Sequence, residues 1–357
     1  MTGIILFVLM VPVEYWIINL IVPRRRANRI VFAFLLFTQL AMVSGFRHRS
    51  IYNDSEPYAS FFEDKLKDDR LIDKNERFEP GFQIYTGLIA RHISNSYVGY
   101  FIISALIIVG IFIRFMYKYS GNVWLSVFLA LTSGFFVSYV CLMRQAIAVA
   151  IWLLAVECML NNKKIWTFIC IALAISFHFS AIILLPFYFV RKLSLSKRNV
   201  YLFLLAAVIP TLLFAGYWQS ISLYYSNEPS AYLDNQAWNT GAVLMTIYTS
   251  VLVLSMLFNN GLQLAKKNEL LKIFMWAGLF ILFISIAGMS FLVLKRFVNY
   301  FMPLLFAGIP VILNRQSVRR RHIWEIMLCS LSFAVLFITL IYRPEWYHII
   351  PYKFYWQ

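Results

Sequence analysis

The chain has 357 residues, of which 61% are hydrophobic and only 13% charged, against about 25% charged in an ordinary soluble domain. Many of its apolar runs approach the ~20 residues that cross the roughly 30 Å hydrocarbon core of a bilayer, so water-soluble fold classes are excluded. The net charge of +16 would suggest nucleic acid in a soluble protein. Here the cations sit mainly in short loops between apolar runs, the pattern that orients spans, and no nucleic-acid partner is expected.

In chain order, the apolar runs predict spans near 3–22, 30–46, 97–116, 123–142 and 145–161, then 199–217, 241–258, 270–290, 297–313 and 323–342. The first run lacks a basic leader, is longer than a signal-peptide core and ends in Arg24-Arg25-Arg26. It reads as a first span with its N-terminus outside. Segment 47–96 is the main non-membrane piece, with an amphipathic run from Ile84 to Ile93 that predicts a helix lying at the outer interface. A second outer loop falls at 218–240 and a tail at 343–357.

Residues 165–190 carry no charge apart from His178. Read as one span, they would leave the eleven Lys and Arg of the three downstream basic loops outside, against four in the facing segments. Read as a hairpin, they reverse that count, in agreement with the orientation rule. Each arm is then only about 12–14 residues, or roughly 20 Å of helix. The turn at Phe177-His178-Phe179-Ser180 would lie below the outer boundary, where irregular backbone must be buried in protein or line a wet cavity. The expected fold is thus all-α and polytopic, one transmembrane domain over 1–357 with about 12 membrane segments and both termini outside.

Ionisable groups at membrane depth are costly and become functional candidates. Arg47 and Arg49 follow the second span, Arg144 lies between two spans with almost no loop, and Lys295-Arg296 sits between two more. Tyr300 falls one turn beyond Arg296 on the same helical face. A lone arginine can snorkel to headgroups. Several arginines at outer helix ends oppose the orientation rule and suit a bound pyrophosphate or carboxylate through bidentate hydrogen bonds. His178 alone reads more readily as a hydrogen-bonded structural residue than as a catalyst. Glu14 reads as structural, Glu157 as facing headgroups or Lys163, and Asp54 and Glu79 as solvated carboxylates. The five histidines lack zinc-ligand spacing, and interleaved lysines make the acids at 63–69 a solvated face rather than a cation site. No metal and no cofactor is expected.

Read together, the motifs carry a resemblance. They are Gly45-Phe46-Arg47, Asn53-Asp54-Ser55 with Tyr58, Glu79-Pro80-Gly81-Phe82, Arg144-Gln145-Ala146-Ile147-Ala148, and Phe177-His178-Phe179-Ser180-Ala181 leading to Leu185-Pro186. In that order and spacing they resemble the EpsG family, which is similar to Wzy-type polysaccharide polymerases. The match covers roughly residues 1–195, with Arg296 and Tyr300 beyond it. The chain departs from the family's Gly-Thr-Asp in carrying Tyr52-Asn53-Asp54.

The resemblance implies a bacterial inner-membrane glycosyltransferase with a GT-C-like fold. It would polymerise oligosaccharide repeat units carried on undecaprenyl pyrophosphate, at the periplasmic face, for O-antigen, capsule or exopolysaccharide. Its partners would be those lipid-linked oligosaccharides, the bilayer and a protein that regulates chain length. Arg144 and Arg296, with Arg47 or Arg49, would hold the pyrophosphate, and Tyr58 and Tyr300 would contribute to substrate binding. His178 would be the first choice of base, with Asp54 or Glu79 behind it. Two alternatives stand beside this reading. One is a flippase or secondary transporter, which would usually show duplicated halves. The other is a metal-dependent GT-C glycosyltransferase using a lipid-phosphate sugar donor and the acids at 63–69.

Overall fold

The protein is seen as a computed structural model that describes residues 2–22, 24–68, 70–213, 240–290, 292–342 and 349–357. Among these residues the chain is helical throughout, and the β pairing is confined to an isolated antiparallel bridge between Arg47 and Phe354. Six helices are long and apolar enough to cross a membrane: Gly3–Ile21, Arg26–Gly45, Tyr97–Tyr119, Met143–Leu160, Glu269–Gly288 and Val318–Tyr342. Such a set fits a multi-pass membrane protein.

The described residues form two compact units, Met1–Leu184 with Leu336–Gln357, and Leu185–Val335. In the first unit α1 (Thr2–Ile21) and α2 (Arg25–Gly45) run beside α5 (Tyr97–Tyr119) and α6 (Val123–Thr132). Helix α1 leaves Leu6, Met10, Trp16, Leu20 and Ile21 exposed, a surface suited to lipid and not to water. Glu14 on α1 accepts a hydrogen bond from Gln39 of α2 at 2.6 Å, the structural role expected of it. Glu157 differs from its expectation. It pairs with Arg114 at 2.6 Å and Lys118 at 3.4 Å, because α5 lies against α8 (Met143–Leu160) and brings those cations to it.

The predicted span 123–142 is a broken one. Helix α6 ends at Thr132, α7 (Phe135–Cys141) begins at Phe135, and the two meet at 71°. Gly134 between them takes φ +72°, a left-handed turn that a residue with a Cβ adopts only at a cost. Hydropathy counts apolar residues and is blind to this loss of backbone continuity. Counted as one span, the pair makes a seventh. Shorter apolar helices at Lys164–Phe177, Phe179–Val190, Val243–Phe258 and Met302–Leu313 fall on four more of the about twelve expected segments, and the expected span 199–217 falls on the helix Lys197–Leu213.

Segment 47–96 holds two helices, α3 (Ser55–Lys67) and α4 (Pro80–His92), packed on each other. Helix α3 buries Ser55, Tyr58, Ala59 and Phe62, the three-four spacing of a helix face, and turns its acids outward. Pro80 opens α4 at a position where its missing N–H is no loss. Helix α9 (Lys164–Phe177) runs along α8 and stops at His178, whose extended backbone (φ −156°, ψ 116°) ends the helix where the short-arm argument put a turn. A 3-10 turn, Phe179–Ile183, follows.

The second unit centres on α14 (Glu269–Ser290). It is packed by α11 (Lys197–Leu213), α12 (Thr240–Phe258), α13 (Gly261–Ala265) and α15 (Met302–Leu313). Its Leu271, Phe274, Met275 and Trp276 are fully buried. Short α10 (Leu184–Val190) also contributes here, as does α16 (Val318–Tyr342) up to Val335. The Tyr248 and Ser332 hydroxyls are hydrogen-bonded at 2.8 Å within it. Residues 292–300, which take in the expected link at Lys295-Arg296 and the start of the span expected at 297–313, form a 3-10 helix. At three residues per turn a spacing of four no longer stacks side chains, so Tyr300 does not share the face of Arg296. Arg296 is exposed and Tyr300 buried. The expected outer loop 218–240 lies almost wholly outside the described residues, as does His348.

Candidate functional site

Within the first unit, three charged or titratable side chains far apart in sequence converge. Glu79 sits at the N-cap of α4, Arg144 in the first turn of α8, and His178 just past the end of α9. The Glu79 carboxylate accepts from Arg144 Nη1 at 2.5 Å and lies 3.0 Å from His178 Nδ1. The backbone N–H of Phe179 donates to the same Oε1 at 3.2 Å. Glu79 therefore bridges the arginine and the histidine. All three side chains retain some solvent access, at 19%, 23% and 15% of full exposure.

Local sequence explains why these groups meet. A Cβ on Gly81 would lie 2.3 Å from Ser176 Oγ and 2.8 Å from the Ser176 backbone carbon and oxygen. Only glycine lets the first turn of α4 abut the last turn of α9, and that contact places Glu79 beside His178. The approach to Glu79 is held by Gln83, buried on α4. Its amide donates to the carbonyls of Phe78 at 2.7 Å and Asp73 at 3.1 Å, and accepts from the Asp73 N–H at 2.7 Å. Arg144 lies 4.9 Å over the ring of Phe78, a cation–π contact that orients the guanidinium. Phe78 is itself packed on Phe61 at 4.4 Å.

Burial on its own would raise the Glu79 carboxyl. The hydrogen bond with His178 and the charge of Arg144 outweigh it and hold the group well below the usual carboxylate range, at about 2. It is ionised at any working pH and accepts only, so the His178 nitrogen facing it, Nδ1, carries the proton. That assigns Nε2 as the acceptor nitrogen of a neutral imidazole. Tyr58 is hydrogen-bonded to Arg144. Burial pushes its hydroxyl up to about 12, Arg144 opposing and the charge of Asp54 adding to the rise, so it stays a neutral partner. Asp54 precedes α3, and the backbone at Asn53 and Asp54 meets the Cys141 thiol at the break between α7 and α8.

The other arginines named from sequence are engaged elsewhere. Arg49 pairs with Glu56 at 2.6 Å and Glu63 at 2.9 Å on α3, with its guanidinium 5.3 Å over Tyr97. Arg47 is 2% exposed. Its Nε donates to Ser55 at 2.9 Å, its Nη1 donates to the Ser44 carbonyl, and its guanidinium lies 4.0 Å over Phe101. Arg296 and Tyr300 belong to the second unit. Sequence reading did not single out Phe78, Gln83 or Ser176. Gln83, a lone amide just before the amphipathic run, was the one legible signal among them.

The arrangement offers an oriented imidazole base, a fixed carboxylate that holds it, and a guanidinium with a buried Nε that has no partner. This set suits proton removal from a hydroxyl beside a developing anion. No curated protein and no solved structure matches the chain. Residues 30–354 match the sequence model of the EpsG family. That match reaches through the second half of the chain, well past the 1–195 carried by the motifs, and leaves α1 outside it. With nearly its whole length so covered, the chain belongs to the EpsG family, which is related to the Wzy-like polysaccharide polymerases.

Proposed function

We propose that this protein joins oligosaccharide repeat units carried on undecaprenyl pyrophosphate, acting as a polymerase-type glycosyltransferase for O-antigen, capsule or exopolysaccharide at the periplasmic face of the bacterial inner membrane. The observation that carries this reading is the convergence of Glu79, Arg144 and His178 in a member of a polymerase-related family. In this reading His178 is the catalytic base and Glu79 its positioning residue, since a carboxyl near 2 is too weak a base to take a sugar hydroxyl's proton.

The acceptor O–H gives its proton to His178 Nε2 while its oxygen bonds the anomeric carbon of the donor. The anomeric C–O bond to the pyrophosphate breaks, and its electron pair leaves with the diphosphate. Arg144, oriented by Phe78 and Tyr58 and with Nε unengaged, stabilises that charge. Arg47 adds a cation to that headgroup, and Arg296 is a second-unit cation required for polymerisation. Asp54 tunes the Tyr58–Arg144 pair, Arg49 orders α3, and Tyr300 backs the Arg296 segment. The short apolar helices complete a GT-C-like set of about twelve segments, with both termini periplasmic, α4 at the interface and a partner protein setting chain length.

The test is complementation of a strain lacking its polymerase, scored by the ladder of chain lengths at matched expression. Arg144→Ala, Arg296→Ala and His178→Ala should each leave single-repeat product. A full ladder from Arg144→Ala and His178→Ala would remove the proposed site. Polymer made by purified protein from lipid-linked repeats, in the presence of chelator, separates this reading from a flippase and from a metal-dependent enzyme.

A further inference from the structure

Arg47 is in an unusual electrostatic position. It is 2% exposed, and its Nη2 has no hydrogen-bond partner. The titratable groups that weigh on it most are the hydroxyls of Tyr52, Tyr352 and Tyr100 and the thiol of Cys141, with no carboxylate among them. A guanidinium taken out of water without a counter-anion is costly. The rings of Phe101 at 4.0 Å and Tyr52 at 5.6 Å offset part of that cost. Burial also lowers its pKa, the mark of a charge short of partners.

What encloses one side of this arginine is the C-terminal segment 349–357. Arg47 is bridged antiparallel to Phe354. The His48 N–H donates to the Lys353 carbonyl at 3.0 Å and the Tyr355 N–H to the Phe46 carbonyl at 2.9 Å. The Tyr352 hydroxyl donates to the carbonyl of Val43. Phe46 stacks on Tyr355 with centroids 5.9 Å apart, and Trp356, 58% exposed, lies 6.1 Å from the same ring. The segment is thus a strap held by few hydrogen bonds and by rings that are half in water.

We propose that Arg47 is an anion anchor kept closed by the strap 349–357, and that lifting the strap opens its free Nη2 edge to a diphosphate. That the anion is the headgroup of a lipid-linked saccharide rests on the function proposed above. The anchor itself rests on the unpaired guanidinium and its cover. The strap keeps the charge out of water until substrate supplies the missing counter-charge.

The test locks and releases the strap in the full chain, in detergent. His48 and Lys353 are directly opposite each other in the antiparallel pairing, at a separation of about 5.5 Å that a disulfide can bridge. In His48→Cys/Lys353→Cys, inorganic pyrophosphate binding is followed by calorimetry in oxidised and reduced protein. The reduced pair should bind about tenfold more tightly than the oxidised pair, the scale of one hydrogen bond to a charged group. Tyr355→Pro, which removes a strap donor, should tighten binding in otherwise native protein. Adding Arg47→Gln should abolish both differences. Equal binding by oxidised and reduced protein, or differences that survive Arg47→Gln with the fold intact by thermal melting, would overturn the anchor. Loss of the chain-length ladder reading leaves this binding difference in place, so the two failures are distinguishable.

Discussion

Glu79 shows how one residue's chemistry was hidden in plain sequence. As a loop carboxylate beside Pro80 it reads as solvated, and as a base it ranks behind His178. Its partners lie 65 and 99 residues away, and no local pattern announces such contacts. The structure makes it the link between His178 and Arg144. Replacing it with glutamine should therefore cost more than a surface change. It leaves Arg144, three-quarters enclosed, without its counter-charge, and a depression of the carboxyl from 4.5 to about 2 corresponds to roughly 3 kcal/mol. The sign follows from the lowered pKa: the contribution is whole above the unfolded value and fades as pH falls towards 2. The gap between melts of wild type and Glu79→Gln should shrink as pH falls from about 5 towards 2. A gap that stayed constant from about pH 5 to 3 would count against the assignment. His178→Asn separates fold from chemistry. The asparagine amide nitrogen can replace Nδ1–H as donor to Glu79 but offers no base in place of Nε2. That variant should melt within about 1 kcal/mol of wild type and yield only single repeats.

At the level of elements, legibility depended on whether the physical signal was local. Long apolar helices such as Tyr97–Tyr119 were visible from composition, and the end of α9 at His178 followed from charge balance and arm length. Helix α3 was not foreseen, because Glu63 to Arg70 reads as a charge run. The buried spacing of Ser55, Tyr58, Ala59 and Phe62 is masked by the charges between and after them. The break at Gly134 and the 3-10 form of 292–300 escaped because hydropathy sums side chains and ignores backbone path. The docking of α4 on α9 likewise shows only in three dimensions. Gly81→Ala should force it apart, since the added Cβ would meet Ser176 backbone at 2.8 Å as well as its side chain. Overpacking of this kind costs about 1–3 kcal/mol. Because Glu79 rides on the same turn, the ladder should shorten more than stability alone explains. Adding Ser176→Gly removes the hydroxyl clash but not the backbone one, so rescue should be partial. Complete recovery of both melt and ladder would mean that only the hydroxyl stands in the way.

For the whole molecule, the proposed orientation hangs on residues 165–190, since a single crossing there inverts every segment that follows. The helix does stop at Phe177, and the apolar helices on either side of His178, Lys164–Phe177 and Phe179–Val190, are 14 and 12 residues long. At 1.5 Å per residue each covers roughly 20 Å, short of a full hydrocarbon layer. Two such arms running down and back would leave the basic loop at Arg191–Arg198 on the side the chain started from, the arrangement that the excess of cations there favours. Reporter fusions distinguish the cases directly. Phosphatase joined after Asn95 should be active, as outside, while fusions after Asn162, Ser194, Asn268 and Gln316 should all be inactive. Active phosphatase at the last three with an inactive one at Asn162 would establish a single crossing. His178 would then lie within a span instead of at the base of an outward-open cavity, and the outer-face chemistry would lose its base. A cysteine at Ser180, reached by an impermeant thiol reagent from outside and shielded once pyrophosphate is added, would give the same answer by a route independent of fusion.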